Sequence, residues 1–191
     1  SWRMPVWIAA GALASLLVGL FVVNTRGALK TDKARDPPFP LTSFPQSESY
    51  PSFAPDGKSF SFSWNSVPGN VDIFIKSLQS SEVKRLTTDP RMDYQSAWSP
   101  DGRHVAFVRN LAREIGELML IPADGGLQRS LGVFQGLSGT NLKVPPPHIG
   151  WTPDSKYLIV SGQDEGDGPL RLHRVDVKNG MRVPILEAET P

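Results

Sequence analysis

The sequence contains no cysteine and almost no net charge, and both absences exclude functions. Without cysteine, a disulfide scaffold, a Cys-ligated metal site and a thiol nucleophile are excluded. The 20 basic and 19 acidic residues leave a formal charge of +1, which divides into +3 over residues 1–36 and −2 over residues 37–191. Because affinity for nucleic acid comes mainly from neutralising phosphates, we expect this segment to contact no nucleic acid.

Charged residues are also absent from one long stretch, residues 4–23. Twenty helical residues extend ~30 Å, which is the thickness of a bilayer core. Trp2 and Trp7 lie near one end, as interfacial aromatic residues do. A cleaved signal peptide is the alternative, but its apolar region usually has only about 7–15 residues. We predict a retained transmembrane helix over 4–23, after a truncated flank over 1–3 and before a juxtamembrane linker over 24–40.

Three small residues recur at every fourth position of this span: Gly11, Ser15 and Gly19. This spacing lets two membrane helices pack closely, so dimerisation through the span is one hypothesis. The general enrichment of membrane helices in small residues explains the pattern as well. Basic residues lie mainly after the span, which by the positive-inside rule favours a cytoplasmic C-terminal flank, but large domains cross largely regardless of charge. The orientation therefore stays open at this point.

The rest of the chain is a repeat. Pro55-Asp56-Gly57 recurs as Pro100-Asp101-Gly102 at an offset of 45 residues, and Pro153-Asp154-Ser155 follows at an offset of 53. In such a turn Pro presets φ, Asp bonds its own backbone and Gly accepts a positive φ. Because Ser155 stands where the other copies have glycine, we predict that the third turn is strained or differently closed. The repeats span about 41–86, 87–131 and 132–186.

Each repeat predicts four short strands. Residues 59–64 alternate serine with aromatic residues, which is the period of a strand with one heavily buried face. A polar loop over 65–70 and two further strand patterns, about 71–76 and 83–86, complete the first repeat. Four strands in 40–50 residues are typical of a propeller blade. The predicted fold class is all-β: a partial β-propeller of about three four-stranded blades, preceded by one transmembrane α-helix.

Several segments carry a family resemblance. Residues 50–58 (Tyr-Pro-Ser-Phe-Ala-Pro-Asp-Gly-Lys) and 95–103 (Gln-Ser-Ala-Trp-Ser-Pro-Asp-Gly-Arg) resemble the WD-like repeats of TolB-type propellers. Residues 72–74 resemble the Asp-Ile-Tyr strand of that family, and residues 85–90 resemble its closing strand and inter-blade link. A span followed by such a blade also resembles single-pass bacterial signalling proteins, which carry a winged-helix or Ser/Thr kinase domain before the span. The resemblance implies an inner-membrane protein with an extracytoplasmic propeller.

Three repeats are too few to close a ring, since propellers typically have 4–8 blades. We therefore expect an incomplete ring and an internal piece of a longer chain. Leu41-Thr42 aligns with Leu86-Thr87, which predicts that it forms the outermost strand of a further blade. The alternative is a three-blade protein whose sheet edges pair in an oligomer. Because bare edges invite association, a piece over 37–191 is expected to aggregate.

No motif predicts catalysis, a metal or a cofactor. His104 and His173 fall on predicted strands of different blades, His148 falls in a loop, and no His-Glu-x-x-His occurs. The segment over 136–140 lacks the second glycine of Gly-x-Ser-x-Gly, and residues 163–168 lack the alternating ligands of a calcium loop. We interpret the aspartates of the three turns as structural, and we expect no enzyme activity, cofactor or metal in this segment.

Two classes of function remain. The first is a non-catalytic sensor or binding propeller that takes a protein or small-molecule ligand at the loops of one end, such as 65–70 and 135–147, and signals through the span. The alternative is the propeller of a membrane-anchored serine peptidase that resembles dipeptidyl peptidases, which requires a hydrolase domain elsewhere in the protein. A TolB-like periplasmic protein-interaction propeller is a further reading, although such a protein usually has a cleaved signal.

Overall fold

The computed structural model describes residues 39–113, 115–135, 148–163 and 170–185. The transmembrane helix predicted over 4–23, with Gly11, Ser15 and Gly19, lies outside the described residues. Within those described ranges, the structure contains no helix long and apolar enough to cross a membrane. Leu41–Pro191 form one compact unit.

All regular structure in the described residues is β-strand, in three four-stranded antiparallel meanders. The first sheet holds β1 (Glu48–Phe53), β2 (Ser59–Val67), β3 (Asn70–Ser77) and β4 (Val83–Arg85). The second holds β5 (Asp93–Trp98), β6 (His104–Ala112), β7 (Ile115–Pro122) and β8 (Arg129–Gln135). The third holds β9 (Ile149–Trp151), β10 (Tyr157–Gly162), β11 (Arg171–Asp176) and β12 (Arg182–Pro184). We call these sheets blades 1, 2 and 3, and the all-β part of the predicted fold is confirmed.

The serine face of blade 1 packs against blade 2. Register pairs Ser63 with Ile73 across β2 and β3, and Ile73 shares a core with Val105 and Phe107 of blade 2. Ser61 and Ser63 are fully buried in this interface. Their small side chains leave room for the large residues of the next sheet, in the interdigitated manner of close-packed interiors. The alternating sequence indicated one heavily buried face, and the structure shows that the serine face is buried as well.

The aromatic face of blade 1 is covered by the segment that precedes β1. Phe60, Phe62 and Phe74 form a buried cluster, and Phe44 stacks on Trp64 with ring centroids 4.7 Å apart. The backbone N–H of Phe44 donates to the Glu48 carboxylate at 3.1 Å, and the Thr42 hydroxyl donates to the same carboxylate. No strand occurs in residues 39–47. The further blade to which Leu41-Thr42 was predicted to belong is not among the described residues, so the outermost strand stays a prediction, and in this structure the segment packs on blade 1.

Blade 2 is buried on both faces. Val105 and Phe107 point to blade 1, whereas Ala106 and Val108 share a core with residues of blade 3. All four are 0% exposed, which explains why β6 is a continuous apolar run and not an alternating one. Each large apolar side chain buried in this way contributes about 1.5–3 kcal/mol. The blades are thus joined mainly by apolar packing between sheets.

Candidate functional site

The three repeated turns share one hydrogen-bond pattern. In each, the third residue donates its N–H to the carbonyl three residues earlier at 2.9 Å. In each, the aspartate accepts the N–H of the residue two positions later, at 2.9, 3.0 and 3.1 Å. The turns are Pro55-Asp56-Gly57, Pro100-Asp101-Gly102 and Pro153-Asp154-Ser155. Each aspartate is engaged by the backbone of its own turn.

Two of these aspartates also accept a hydroxyl from the residue before the turn. Ser99 donates to Asp101 and Thr152 donates to Asp154, both at 2.6 Å. These hydroxyl bonds lower the pKa of both carboxyls most, and the backbone N–H bonds lower it further. A carboxylate stabilised in its charged form is a poor proton donor at neutral pH. The geometry of the turns therefore offers no general acid.

Ser155 forms the same turn as the glycines at the cost of an unfavourable backbone conformation. Its φ is 59°, in the left-handed region that residues with a β-carbon rarely adopt, close to the φ of 67° at Gly57 and 74° at Gly102. Its hydroxyl accepts the backbone N–H of Asp101 at 3.0 Å, and so links blade 3 to blade 2. The third turn is strained, as one branch of the prediction had it, and it is closed like the others.

Ion pairs to two buried aspartates flank the segment between β4 and β5. The Arg109 guanidinium donates to both oxygens of Asp93, at 2.8 and 2.9 Å, and lies 3.3 Å from Asp89. In blade 1, Arg85 donates to Asp72 at 2.6 Å. Burial raises the pKa of Asp72 and of Asp93, and the paired arginines oppose that shift.

Carboxyls with raised pKa are candidates for acid–base catalysis in general. Here Asp72 and Asp93 are fully buried and each is held by an arginine, so no substrate reaches them. Two ion pairs next to the Leu86–Thr87 link fit a structural role, since removing one partner of a buried pair is strongly destabilising.

The histidines lie apart from one another along the fold. His104 begins β6, His173 is buried in β11 and His148 precedes β9. In the parts of the chain that the structure describes, no three His, Asp or Glu side chains are grouped in a way that could hold a metal ion.

The first strand of blade 1 and the first strand of blade 2 each contain a β-bulge at an equivalent position. Tyr50 and Pro51 together oppose Phe62, and Gln95 and Ser96 together oppose one residue of β6. The first residue of each bulge has a positive φ, 53° at Tyr50 and 58° at Gln95. For bulky side chains this conformation is an outlier, and bulges of this kind re-aim side chains next to functional sites.

The bulges border a polar cavity of about 220 Å³, which we call the inner-strand cavity. Tyr50, Gln95 and His148 line it, one from each blade, and they occupy equivalent positions of the repeat at the offsets of 45 and 53 residues. Ser52, Ser96 and Ile149 complete most of the wall. The three repeats therefore contribute the same repeat position to one concave surface, formed by β1, β5 and the start of β9, which we call the inner strands.

Side chains hold the inner strands together around this cavity. The Ser52 hydroxyl accepts the N–H of Trp98 at 2.9 Å, and Ser96 donates to the carbonyl of Tyr50 at 3.3 Å. The indole of Trp151 donates to the carbonyl of Ala97 at 3.0 Å, which ties blade 3 to blade 2. The cavity wall is thus a continuous hydrogen-bonded surface across three sheets.

The lining residues come from the middle of β1, the middle of β5 and the start of β9. We call the end of the blades where β1, β5 and β9 begin the cavity end. Residues 65–70, predicted to be a partner-binding loop, lie at this end, because Asn65 donates its N–H to the carbonyl of Ser47 just before β1. Of the other predicted loop, 135–147, only Gln135 is described.

The sequence did not single out the residues of the inner-strand cavity. Tyr50, Gln95 and His148 differ in type, so they form no motif, and His148 was assigned to an ordinary loop position. The one available signal is the repeat itself, because alignment at the two offsets places these three residues in one column directly before the inner-strand aromatic segment.

Comparison with known proteins locates the fold. No known family model matches the chain. Over 122 residues the chain is 28% identical to a Bacillus subtilis protein named uncharacterized peptidase YuxL, in an alignment that covers 58% of this chain and 16% of that protein. The chain thus spans well under half the length of this relative.

Solved structures give the same architecture. TolB from Acinetobacter baumannii is similar with a TM-score of 0.59 at 23% identity, over 75% of this chain and 33% of that one. A prolyl endopeptidase structure is similar with a TM-score of 0.51 at 19% identity, over 72% of this chain and 22% of that one. At these identities the similarity concerns the fold alone. The chain has a TolB-like β-propeller fold.

Proposed function

We propose that this chain is a non-catalytic, ligand-binding portion of a TolB-like β-propeller, and that its ligand binds at the cavity end. The observation that supports this best is the inner-strand cavity, to which three successive blades contribute Tyr50, Gln95 and His148. Concave sites with a few convergent polar groups are the usual form of ligand sites. Strained backbone at two of these positions adds support, since such strain concentrates at functional sites.

A site-specific photocrosslinker tests where the full-length protein binds its ligand. Benzoylphenylalanine in place of His148 lies exposed at the cavity, and the same residue in place of Leu127 lies on the β7–β8 turn at the opposite end. Leu127 is 94% exposed, so it is a matched, accessible control. In the native cells we expect adducts at position 148 and few at 127. Equal adducts at both positions would contradict binding at the cavity end.

We also propose that the propeller is a sensor outside the bacterial inner membrane, in a single-pass signalling protein whose effector domain precedes the span. The support is the uncharged stretch over 4–23 followed by a repeat whose sequence contains no catalytic motif. Alkaline phosphatase fused after Pro191 folds into active enzyme only when it is exported. We expect activity from the intact chain and none after deletion of 4–23. Fluorescence of green fluorescent protein fused at the same site would show that this site lies in the cytoplasm, which is the opposite orientation.

A peptidase propeller is the second candidate, and it is supported by the partial identity to a protein named as a peptidase. If the whole protein is a serine peptidase, a fluorophosphonate probe labels its nucleophile covalently. We expect no labelling of the full-length protein, and labelling that heat denaturation abolishes would favour the peptidase reading.

A further inference from the structure

We propose that the inner-strand cavity binds a neutral ligand through a planar amide group, which pairs with the side-chain carboxamide of Gln95. This inference rests on the proposed function and adds the chemical class of the ligand to it. It is carried by the chemistry of one buried side chain and by the composition of the cavity wall.

Gln95 combines two unfavourable features at one position. Gln95 is 5% exposed, and neither its Oε1 nor its Nε2 has a hydrogen-bond partner among the described residues. A buried polar group left unpaired costs about 1–3 kcal/mol. The same residue has a φ of 58° within a β-bulge. Buried polar groups in native proteins are nearly always paired, so an exception that lines a cavity indicates a partner that binds there.

The carboxamide itself selects the partner. It presents an acceptor oxygen and a donor NH2 side by side in one plane. A ligand that satisfies both must present a donor and an acceptor with the same spacing, as a primary carboxamide or a lactam does. A carboxylate has only acceptors and would leave Oε1 unpaired, whereas an ammonium has only donors and would leave Nε2 unpaired.

The wall of the cavity also favours a neutral ligand. Of the described residues that line it, none is an Asp, Glu, Lys or Arg that would recognise an ion. Tyr50 is 36% exposed and His148 is exposed, so an aromatic ring and an imidazole flank the opening. Aromatic side chains offer a planar apolar face together with a polar tip. A cavity of about 220 Å³ takes a small molecule or one end of a larger one.

The carboxamide atoms of Gln95 are buried, so a ligand amide reaches them after the side chain rotates towards the cavity. Gln95 has a long side chain with several rotatable bonds. Because its carboxamide makes no hydrogen bond to the described residues, turning it towards the ligand breaks none of them. A ligand amide therefore gains two hydrogen bonds without displacing an existing pair.

The test uses the full-length protein and probes of one shape. Saturation-transfer NMR compares nicotinamide, nicotinate and methyl nicotinate, which share a ring and differ at the amide, and 2-piperidone supplies the lactam. We expect nicotinamide or 2-piperidone to bind at least about tenfold more tightly than nicotinate and methyl nicotinate, a difference of ~1.4 kcal/mol. The tighter binder of the two shows whether the site prefers a primary carboxamide or a lactam.

Gln95→Met keeps the length of the side chain and removes its amide, and Gln79→Met on the exposed β3–β4 turn is the control. We expect Gln95→Met to abolish amide binding without lowering the melting temperature relative to Gln79→Met. Retained binding in Gln95→Met, equal binding of nicotinate, a lower melting temperature of Gln95→Met, or no binding of any probe would each overturn the inference. The crosslinking at position 148 tests the proposed function separately from this outcome.

Discussion

At the scale of single residues, Ser155 shows how a side chain offsets a strained backbone. The residue has a φ of 59°, and its hydroxyl accepts the N–H of Asp101 in the neighbouring blade. A left-handed conformation at a residue with a β-carbon costs about 1 kcal/mol or more, and a hydrogen bond contributes about 0.5–1.5 kcal/mol. The two effects are of similar size and opposite sign.

Two substitutions at this position separate the effects. Ser155→Ala keeps the strain and loses the hydrogen bond, so we expect the free energy of unfolding to fall by about 1 kcal/mol. Ser155→Gly loses the bond but relieves the strain, and we expect a change close to zero. Urea denaturation of both variants measures the difference. An alanine variant as stable as the wild type would show that the inter-blade bond contributes nothing.

Asp89 is the residue at which stability should depend most clearly on acid. Its carboxylate accepts three bonds from Arg91, at 2.8, 2.9 and 2.9 Å, and faces Arg109. The Arg91 bonds hold the pKa of Asp89 well below its usual range. Because the folded-state pKa is lower than the unfolded one, the ionised carboxylate stabilises the fold at neutral pH. That contribution is lost as the pH falls below about 4.

We therefore expect Asp89→Asn to lower the free energy of unfolding by about 1–2 kcal/mol at pH 7. The difference from the wild type should begin to shrink below about pH 5 and should continue to shrink at pH 3 and lower, because the folded-state pKa lies well below the unfolded one of about 3.9. Urea titrations across this range give the comparison, with Asp124→Asn on an exposed turn as the control. A difference that stays constant with pH would rule out the electrostatic explanation.

At the scale of elements, β2 illustrates the limits of a periodic sequence. Alternation over 59–64 predicts a strand and the aromatic side of its sheet, because period 2 places alternate residues on one face. It does not predict that Ser61 and Ser63 are equally buried, since that depends on which neighbouring sheet packs on them. Small polar residues fit both an exposed face and a close interface between sheets.

Substitution on the serine face tests this packing. Ser63 is fully buried, and its hydroxyl accepts the N–H of Gln95 at 3.2 Å. Ser63→Val adds volume in a filled interface and removes the acceptor, so we expect a loss of about 2 kcal/mol or more. Ser59→Val, at the half-buried start of β2, should change stability by less than about 0.5 kcal/mol. Thermal unfolding of both variants measures the contrast, and equal losses would mean that the serine face is not tightly packed.

The fold was more predictable from the sequence than the site. The repeated turns predict where each blade lies in the sequence, because the conformational preferences of Pro, Asp and Gly are local and do not depend on the rest of the fold. The inner-strand cavity depends on two bulges and on the side-by-side placement of Tyr50, Gln95 and His148. Those are properties of the assembled sheets, and no local preference of these three residue types encodes them.

At the scale of the whole molecule, the outer face of blade 3 exposes apolar side chains in the described residues. Leu172 is 52% exposed and Val183 is 43% exposed. Val183 pairs with Arg174, which lies two residues after Leu172 on β11, so the side chains of Leu172 and Val183 lie on the same face of the sheet. On the other side of the molecule Phe53 is 57% exposed. Apolar surfaces of this kind are typical of contacts with another sheet or another molecule.

We expect a piece over 41–191 to self-associate in a concentration-dependent way because of these faces. Leu172→Lys should shift the association to higher concentration, whereas Leu127→Lys, on a turn away from both faces, should not. Light scattering coupled to gel filtration measures both variants. A piece that stays monomeric at all concentrations would show that the exposed faces are not association surfaces.

Each hydrogen bond between blades described above involves a side chain, either a serine hydroxyl or a tryptophan indole. Three of them have a backbone N–H donating to a serine hydroxyl: Gln95 to Ser63, Trp98 to Ser52, and Asp101 to Ser155. These contacts add no rung to any strand ladder. Among the described residues, each four-stranded ladder is complete within its own blade, and one backbone bridge, Gln135 to Gln163, joins two blades. Duplication or deletion of a whole blade would therefore keep the four-stranded ladders and change only the packing and the few bonds between neighbouring blades, so the number of blades can change in evolution without leaving a strand unpaired inside a blade.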